Sequence, residues 1–317
     1  MAAITNVQTT ASAVGIREDL SDAIHRVDVE ETPIMSMIGT TTATQTVHEW
    51  QERALGNVDT SNAAAEGEIT SNAAATQNVR RSNICQISKK NATVSGTVEA
   101  VNKAGRNSEM ALQMADRTIE LRKDMEAIMF ATNQAYSSSS PRTLRSFEAW
   151  IRTNAQRGSG GANPDDPNTT AGTTATDGTQ RAFTETMLKT AMKTAFSGGA
   201  KPTRLFVGPS AKGVISGFSG RAGQTIDIDR RMVSNNVTQY DSDFGVLAIT
   251  PHPYLRSSGR TVLGIDPSML KVSYLRKFKS YPLGRVGDGE TREILSEYTL
   301  EVRNEKAHFV IADLTTP

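Results

Sequence analysis

A chain that worked on a small molecule would have to bring titratable groups together, so those groups are the place to begin. The four histidines, His25, His48, His252 and His308, are never three or four residues apart. No pair can share one face of a helix as a zinc motif requires, and the single cysteine, Cys85, supplies no second thiolate. Gly208-Pro209-Ser210-Ala211-Lys212-Gly213 has the glycines and lysine of a phosphate loop. It lacks the spacing up to Gly-Lys-Ser/Thr, and Pro209 removes an N–H where an anion would need one. Asp165-Asp166 has neither the alternating oxygens nor the closing Glu of a calcium loop. Asp227 and Asp229 stand beside Arg230 and Arg231 as a solvated charged segment would. There is no Gly-x-Ser-x-Gly elbow and no Cys–His signature. The residues therefore point to packing and ion pairing. No catalytic residue, cofactor, metal or small-molecule substrate is expected.

Composition narrows the class. The chain has 317 residues, a formal net charge of +1, 37% hydrophobic residues and only 5% aromatics. That is enough for one large or two modest domains around a thin aliphatic core, with polar arms and loops besides. A near-neutral chain without a basic tail lacks the clustered cations that grip nucleic acid through phosphate contacts. One cysteine excludes an intrachain disulfide framework, and Cys85 reads as a small buried strand residue. No apolar run is long enough for a bilayer, so no membrane role is expected. The N-terminus shows no signal peptide, which points to a reducing, cytoplasmic setting.

The elements follow from periodicity. Leu20, Ala23, Ile24 and Val27 recur at helical spacing after an Asp19 or Ser21 cap, so a short helix is expected in an arm over residues 1–40, ended by Thr32-Pro33. Thr46–Trp50 and Asn83–Ile87 read as strands. The stretch from Asn57 to Asn78 between them is rich in Ala, Ser, Thr and Asn, and cannot offset its own ordering entropy. A long hairpin lying on a neighbouring subunit is one reading of residues 41–95, and a plain disordered loop is the other. The longest helix is expected over about 107–133. Ala111, Met114, Ala115, Thr118, Leu121, Met125, Ile128 and Met129 form its apolar stripe, and Arg117, Arg122 and Glu126 belong to the charged face. Arg122 and Glu126 are spaced to pair.

A short helix over 146–153 should turn Phe147, Trp150 and Ile151 inward. Residues 157–180 read as a mobile low-complexity loop. An α/β module follows. Thr184 caps a helix that ends at Gly198-Gly199, Arg204–Val207 is a strand and 209–218 a helix, with further strands at 244–249 and 261–265. Near the end Tyr298, Leu300 and Val302 alternate with Thr299, Glu301 and Arg303. A turn at Asn304-Glu305-Lys306 would return His308–Ile311 as an antiparallel hairpin. The whole is α+β.

Two groups of residues carry a resemblance. The first is Arg17-Glu18-Asp19-Leu20-Ser21-Asp22-Ala23-Ile24, then Glu31-Thr32-Pro33-Ile34-Met35-Ser36-Met37-Ile38, then His48-Glu49-Trp50-Gln51. The second is Gly287-Asp288-Gly289-Glu290 followed by Ile294–Val302. Together they resemble the major capsid proteins of tailed bacteriophages with the Hong Kong 97-like fold. The resemblance implies an N-terminal arm (1–40), an extended loop (41–95), a peripheral domain with a spine helix (96–150 and 267–317), and an axial domain (151–266). It implies pentamers and hexamers of one chain, closing into an icosahedral head around packaged double-stranded DNA, with DNA near but not specifically held. The virion is then the location and the host cytoplasm the place of assembly. Portal, scaffold and decoration proteins are possible partners. The arm signature begins within the first twenty residues, so no cleaved scaffolding segment is expected ahead of it; a separate scaffold or an already processed chain stays open. Leu20, Ile24, Ile34, Met37 and Trp50 are the apolar candidates for inter-subunit contact, and Arg117 and Arg122 the charged ones, with a solvated face as the other reading of both arginines. A cellular nanocompartment shell of the same fold and a small α/β enzyme with disordered insertions are the alternatives.

Overall fold

The computed structural model describes residues 13, 14, 21, 23–29, 31–56, 58–69, 75–166, 173–218, 237–255, 259–285 and 287–316. In chain order come α1 (Pro33–Met37), β1 (Gly39–Thr42), β2 (Val47–Glu52), β3 (Val79–Ile84), β4 (Gln86–Ser95), α2 (Gly96–Ala100), α3 (Glu109–Phe130), α4 (Phe147–Trp150) and β5 (Ala155–Gln156). Then follow α5 (Glu185–Ser197), β6 (Arg204–Val207), α6 (Pro209–Ser216), β7 (Gln239–Ser242), β8 (Gly245–Pro251), β9 (Val262–Ile265), β10 (Leu270–Pro282), β11 (Gly289–Val302) and β12 (Phe309–Ile311).

Among the described residues the strands form three sheets. One has the order β1-β10-β11-β4, one the order β5-β12-β9-β6-β8-β7, and β2 pairs with β3 alone. The long helix α3 begins where Ser108 accepts the N–H of Ala111, with Glu109 in the first turn favourable to the helix dipole. Its 22 residues make a rod about 33 Å long at about 1.5 Å per residue. Leu121, Met125, Met129 and Phe130 pack with Phe147, Trp150, Tyr298 and Leu300 into one core. A second core lies on the other face of the six-stranded sheet. Alternate strand residues such as Leu205 and Val207 meet Leu188 and Met192 of α5 and Ala211 and Ile215 of α6 there.

Several expectations are corrected. Residues 23–29 are not helical but form an exposed segment without helix or strand. A few apolar residues cannot repay helix nucleation, and polar ties to α3 hold the arm instead: Arg26 to Asp116 at 2.5 Å and Lys123 to Asp28 at 2.7 Å. On α3, Ala111 and Ala115 are exposed, whereas Glu126, expected on the charged face, is fully buried. It therefore forms no pair with exposed Arg122. Residues 155–166 and 173–180 are pinned rather than loose. Ala162 and Thr176 form an antiparallel bridge, a side chain at Gly158 would strike the Thr179 backbone and one at Gly178 the Gly158 backbone, and the buried Arg157 side chain donates to Glu148 at 3.0 Å.

The closing hairpin is also different. β11 pairs antiparallel with β10 over Arg292–Val302 and with β4 over Gly289–Tyr298, and β12 joins neither side of it. The Asn304 side chain accepts the N–H of Lys306 and turns the chain out of that sheet. β12 then enters the other sheet, antiparallel to β9 and parallel to β5. Phe309 pairs with Gly264, and its ring fills the space where a Cβ at 264 would stand. Residues 309–311 thus lie with the module expected over 151–266, not with the sheet of β10 and β11. The ten residues of β4 likewise belong to the four-stranded sheet, and among the described residues the hairpin expected over 41–95 is paired between Val47–Glu52 and Val79–Ile84.

Candidate inter-subunit surface

The ribbon β2–β3 is set by cross-strand pairs from Val47↔Ile84 to Glu52↔Val79. A two-stranded ribbon is marginal alone, so its inner end leans on the body. Asn83 is buried, donates from Nδ2 to the carbonyls of Arg145 (3.1 Å) and Leu300 (2.8 Å), and accepts the N–H groups of Arg145 and Ile84, both at 2.9 Å. The Trp50 ring lies 5.4 Å from that of Trp150. His48 Nε2 is 3.1 Å from Glu301 Oε2. Burial works to raise the Glu301 carboxyl, but hydrogen bonds from His48 and Arg303 outweigh it and hold the pKa at about 2. Cys85, between β3 and β4, is buried and its thiol is pushed up to about 11, first by burial and then by Glu297. That makes it an inert packing residue.

Beyond Glu52 the chain has no regular structure over residues 53–56, 58–69 and 75–78. Leu55, Val58 and Ile69 are each 92% exposed there. Isolated large apolar groups on the surface are ordinary. Three at the end of a ribbon with no core are a surface without its own cover.

The other candidates are dispersed. Leu20 lies outside the described residues. Ile24 is 54% exposed on the arm, and Arg122 is exposed on α3. Met37 and Trp50 are partly buried against their own core. Arg117 donates to Glu120 one turn away at 2.6 and 2.8 Å. Ile34 is fully buried in its own subunit, which removes it as a contact. Its place is fixed by Glu126, which accepts the N–H groups of Ile34 and Met35, both at 2.9 Å, and lies 2.8 Å from His252 Nε2. Sequence reasoning missed Leu55, Val58 and Ile69, although lone large apolar residues in a polar stretch were the available signal.

The groups that could do chemistry are spent on structure. His308 is buried and its pKa is pushed down to about 3, chiefly by burial, while its Nδ1 accepts the N–H of Asp266. Lys212, of the phosphate-loop-like run, donates to the carbonyl of Val237, and burial lowers its pKa. Among the described residues no group of three His, Cys, Asp or Glu is placed to hold a metal ion, and no helix is long and apolar enough to cross a membrane.

Comparison with known proteins gives one consistent result. A family model described as SU10 major capsid protein matches residues 3–315. The major capsid protein of Escherichia phage Phieco32 is 33% identical over 102 residues, which is 32% of this chain and 29% of that protein. The alignment thus spans less than a third of that relative's length. Among solved structures, the Cyanophage A-1(L) capsid asymmetric unit superposes with a TM-score of 0.65 at 11% identity, covering 99% of this chain and 100% of that one. A chain from the capsid of a native GTA particle gives 0.65 at 9% identity over 96% and 98% of the two chains. One from Mycobacterium phage Bobi gives 0.60 at 14% over 95% and 96%. At such identities the structural likeness speaks for the fold.

Proposed function

The chain belongs to the SU10 major capsid protein family, and from that premise we propose how one subunit meets the next. Its fold is the Hong Kong 97-like capsid fold, its role is that of major capsid protein in the head of a tailed phage, and the family is structural rather than enzymatic. In our reading α3 and the four-stranded sheet form the peripheral domain, the six-stranded sheet with α5 and α6 forms the axial domain, and β2–β3 with the residues beyond it forms the extended loop. The subunits join as pentamers and hexamers in a closed shell around packaged duplex DNA, assembled in the host cytoplasm. The axial modules surround the symmetry axes. Scaffold, portal and decoration proteins are the further partners, and DNA is enclosed without specific contact.

The observation that carries this reading is the exposure of Leu55, Val58 and Ile69 at the end of a ribbon without a core. A neighbour supplies the missing cover, so ordering of the loop is coupled to association. Repetition under closed symmetry then turns modest contacts into a stable shell. Ile24 on the arm and Arg122 on α3 are the remaining exposed candidates for such contacts, and Leu20 stays with them on the strength of its sequence position. The test is electron microscopy and sedimentation of the full-length chain, expressed with and without scaffold partners. Closed particles or stable pentamers and hexamers are expected. A monomer under every condition, with the loop resistant to protease, overturns the lapped-loop reading.

A further inference from the structure

The ribbon β2–β3 is held to the body in two unlike ways. Its inner end is fixed by the buried hydrogen bonds of Asn83, and farther out Trp50, directly opposite Arg81, rests against the Trp150 ring. Its outer end overhangs a cavity of about 540 Å³, walled by Glu52, Val79 and Arg81 of the ribbon and by Arg152, Asp166 and Glu305 of the body. Arg81 crosses the rim. Its Nε donates to Glu52 Oε2 at 2.8 Å and its Nη1 to Asp166 Oδ1 at 2.6 Å. The other oxygen of Asp166 lies 3.3 Å from Arg152 Nη1. Where side chains interdigitate, a change of angle meets dense packing on every side. Over this cavity the ribbon meets charge at the rim.

We propose that Arg81 and Asp166 form a latch that sets the angle at which the ribbon leaves its subunit. This rests on the reading that the ribbon laps a neighbour. The ribbon then has a latched and an unlatched direction, pivoting between Asn83 at its root and Arg81 farther out. Arg81 is largely buried, but Asp166 and Arg152 are nearly half exposed. A pair so open to water biases an equilibrium by only about fivefold. One contact with a neighbouring subunit reverses a bias of that size, so subunits in unlike environments of one shell can carry their ribbons at unlike angles.

The experiment is hydrogen exchange of the full-length chain, free and in shells, comparing wild type with Asp166→Asn and Asp166→Glu. In free wild-type subunits the amides of Val79–Ser82 should be protected about fivefold more than in Asp166→Asn. Tyr298–Val302 should not change, and Asp166→Glu should restore most of the protection. Raising salt from about 0.1 M to about 1 M shortens the screening length from about 10 Å to about 3 Å. It should erase the difference by loosening wild type while leaving Asp166→Asn unmoved. Equal protection in wild type and Asp166→Asn at low salt overturns the latch. So does a loss spread evenly over Tyr298–Val302, because Asp166 would then stabilise the whole fold. Failure of wild type to form shells counts against the lapped-loop reading alone, since exchange in the free subunit still decides the latch.

Discussion

Glu126 Oε1 and His252 Nε2 lie 2.8 Å apart, and neither side chain has any solvent exposure. The N–H of Tyr254 donates to His252 Nδ1, which leaves Nε2 to donate to Glu126. The same carboxylate receives the backbone of Ile34 and Met35, so one residue of α3 ties α1, α3 and the segment just after β8 together. Removing one partner from such a buried site leaves the others unpaired. Glu126→Ala should therefore cost about 3–5 kcal/mol, and Glu126→Gln less. Denaturant titration of the free subunit measures both; a loss like that of a surface substitution would deny the junction.

Glu301 sets an acid limit on the ribbon's anchorage. Its carboxyl titrates near 2 in the folded chain against an ordinary value of 4.5. The unfolded state therefore binds the proton first as pH falls, and the stabilisation is complete above about pH 4.5 and lost between there and about pH 2. The size is about 2 kcal/mol after allowing for some solvent screening. Glu301→Gln should flatten that part of the stability–pH curve, read by urea unfolding from pH 5 to 2.

His308 acts in the same direction at higher pH. Buried without its proton, it has a folded pKa near 3 against the ordinary 6.5. Its contribution is whole above about pH 6.5 and falls as the unfolded chain takes up a proton that the folded chain refuses. The slope should approach about 1.4 kcal/mol per pH unit between those limits. Thermal melts of His308→Gln should lose that slope below pH 6.5.

Gly264 has no room for a side chain against Phe309. Gly264→Ala should cost about 1–3 kcal/mol by overpacking. Adding Phe309→Leu should recover part of it, a coupling that a double-mutant cycle detects.

Leu55, Val58 and Ile69 touch little of their own subunit. Replacing all three by Ser should change the stability of the free subunit by less than about 0.5 kcal/mol for each substitution while preventing closed shells. Sedimentation and unfolding on the same preparation separate the two effects; normal shells from the triple variant would refute a role in lapping.

Much of the fold was legible where local signals agree with the final packing. Ser108 and Thr184 cap the helices that follow them, and Phe147, Trp150 and Ile151 turn inward as expected. What was not legible depends on partners distant in sequence. Glu126 looks like a surface residue because its stabilising groups come from Ile34, Met35 and His252. The run from Tyr298 to Val302 alternates as a half-exposed strand would, yet Thr299 and Glu301 are buried too, because other elements cover the second face. The arm's apolar spacing suggested a helix, whereas the described part, tied to Asp116 and Lys123, has none. Of the candidate surface, the flimsy stretch between the two strands was visible as a composition. The three residues that give it something to bury were not.

The insertion of Phe309–Ile311 between β9 and β5 also governs when a subunit becomes usable. Both of those strands leave the ribosome well before their shared neighbour does. Until it arrives the six-stranded sheet is split in two, with Leu263 and Ile265 on one face and Val262 on the other lacking part of their cover. Contacts so far apart in sequence form late in folding. A nascent chain thus has no finished six-stranded sheet until Phe309–Ile311 has been made.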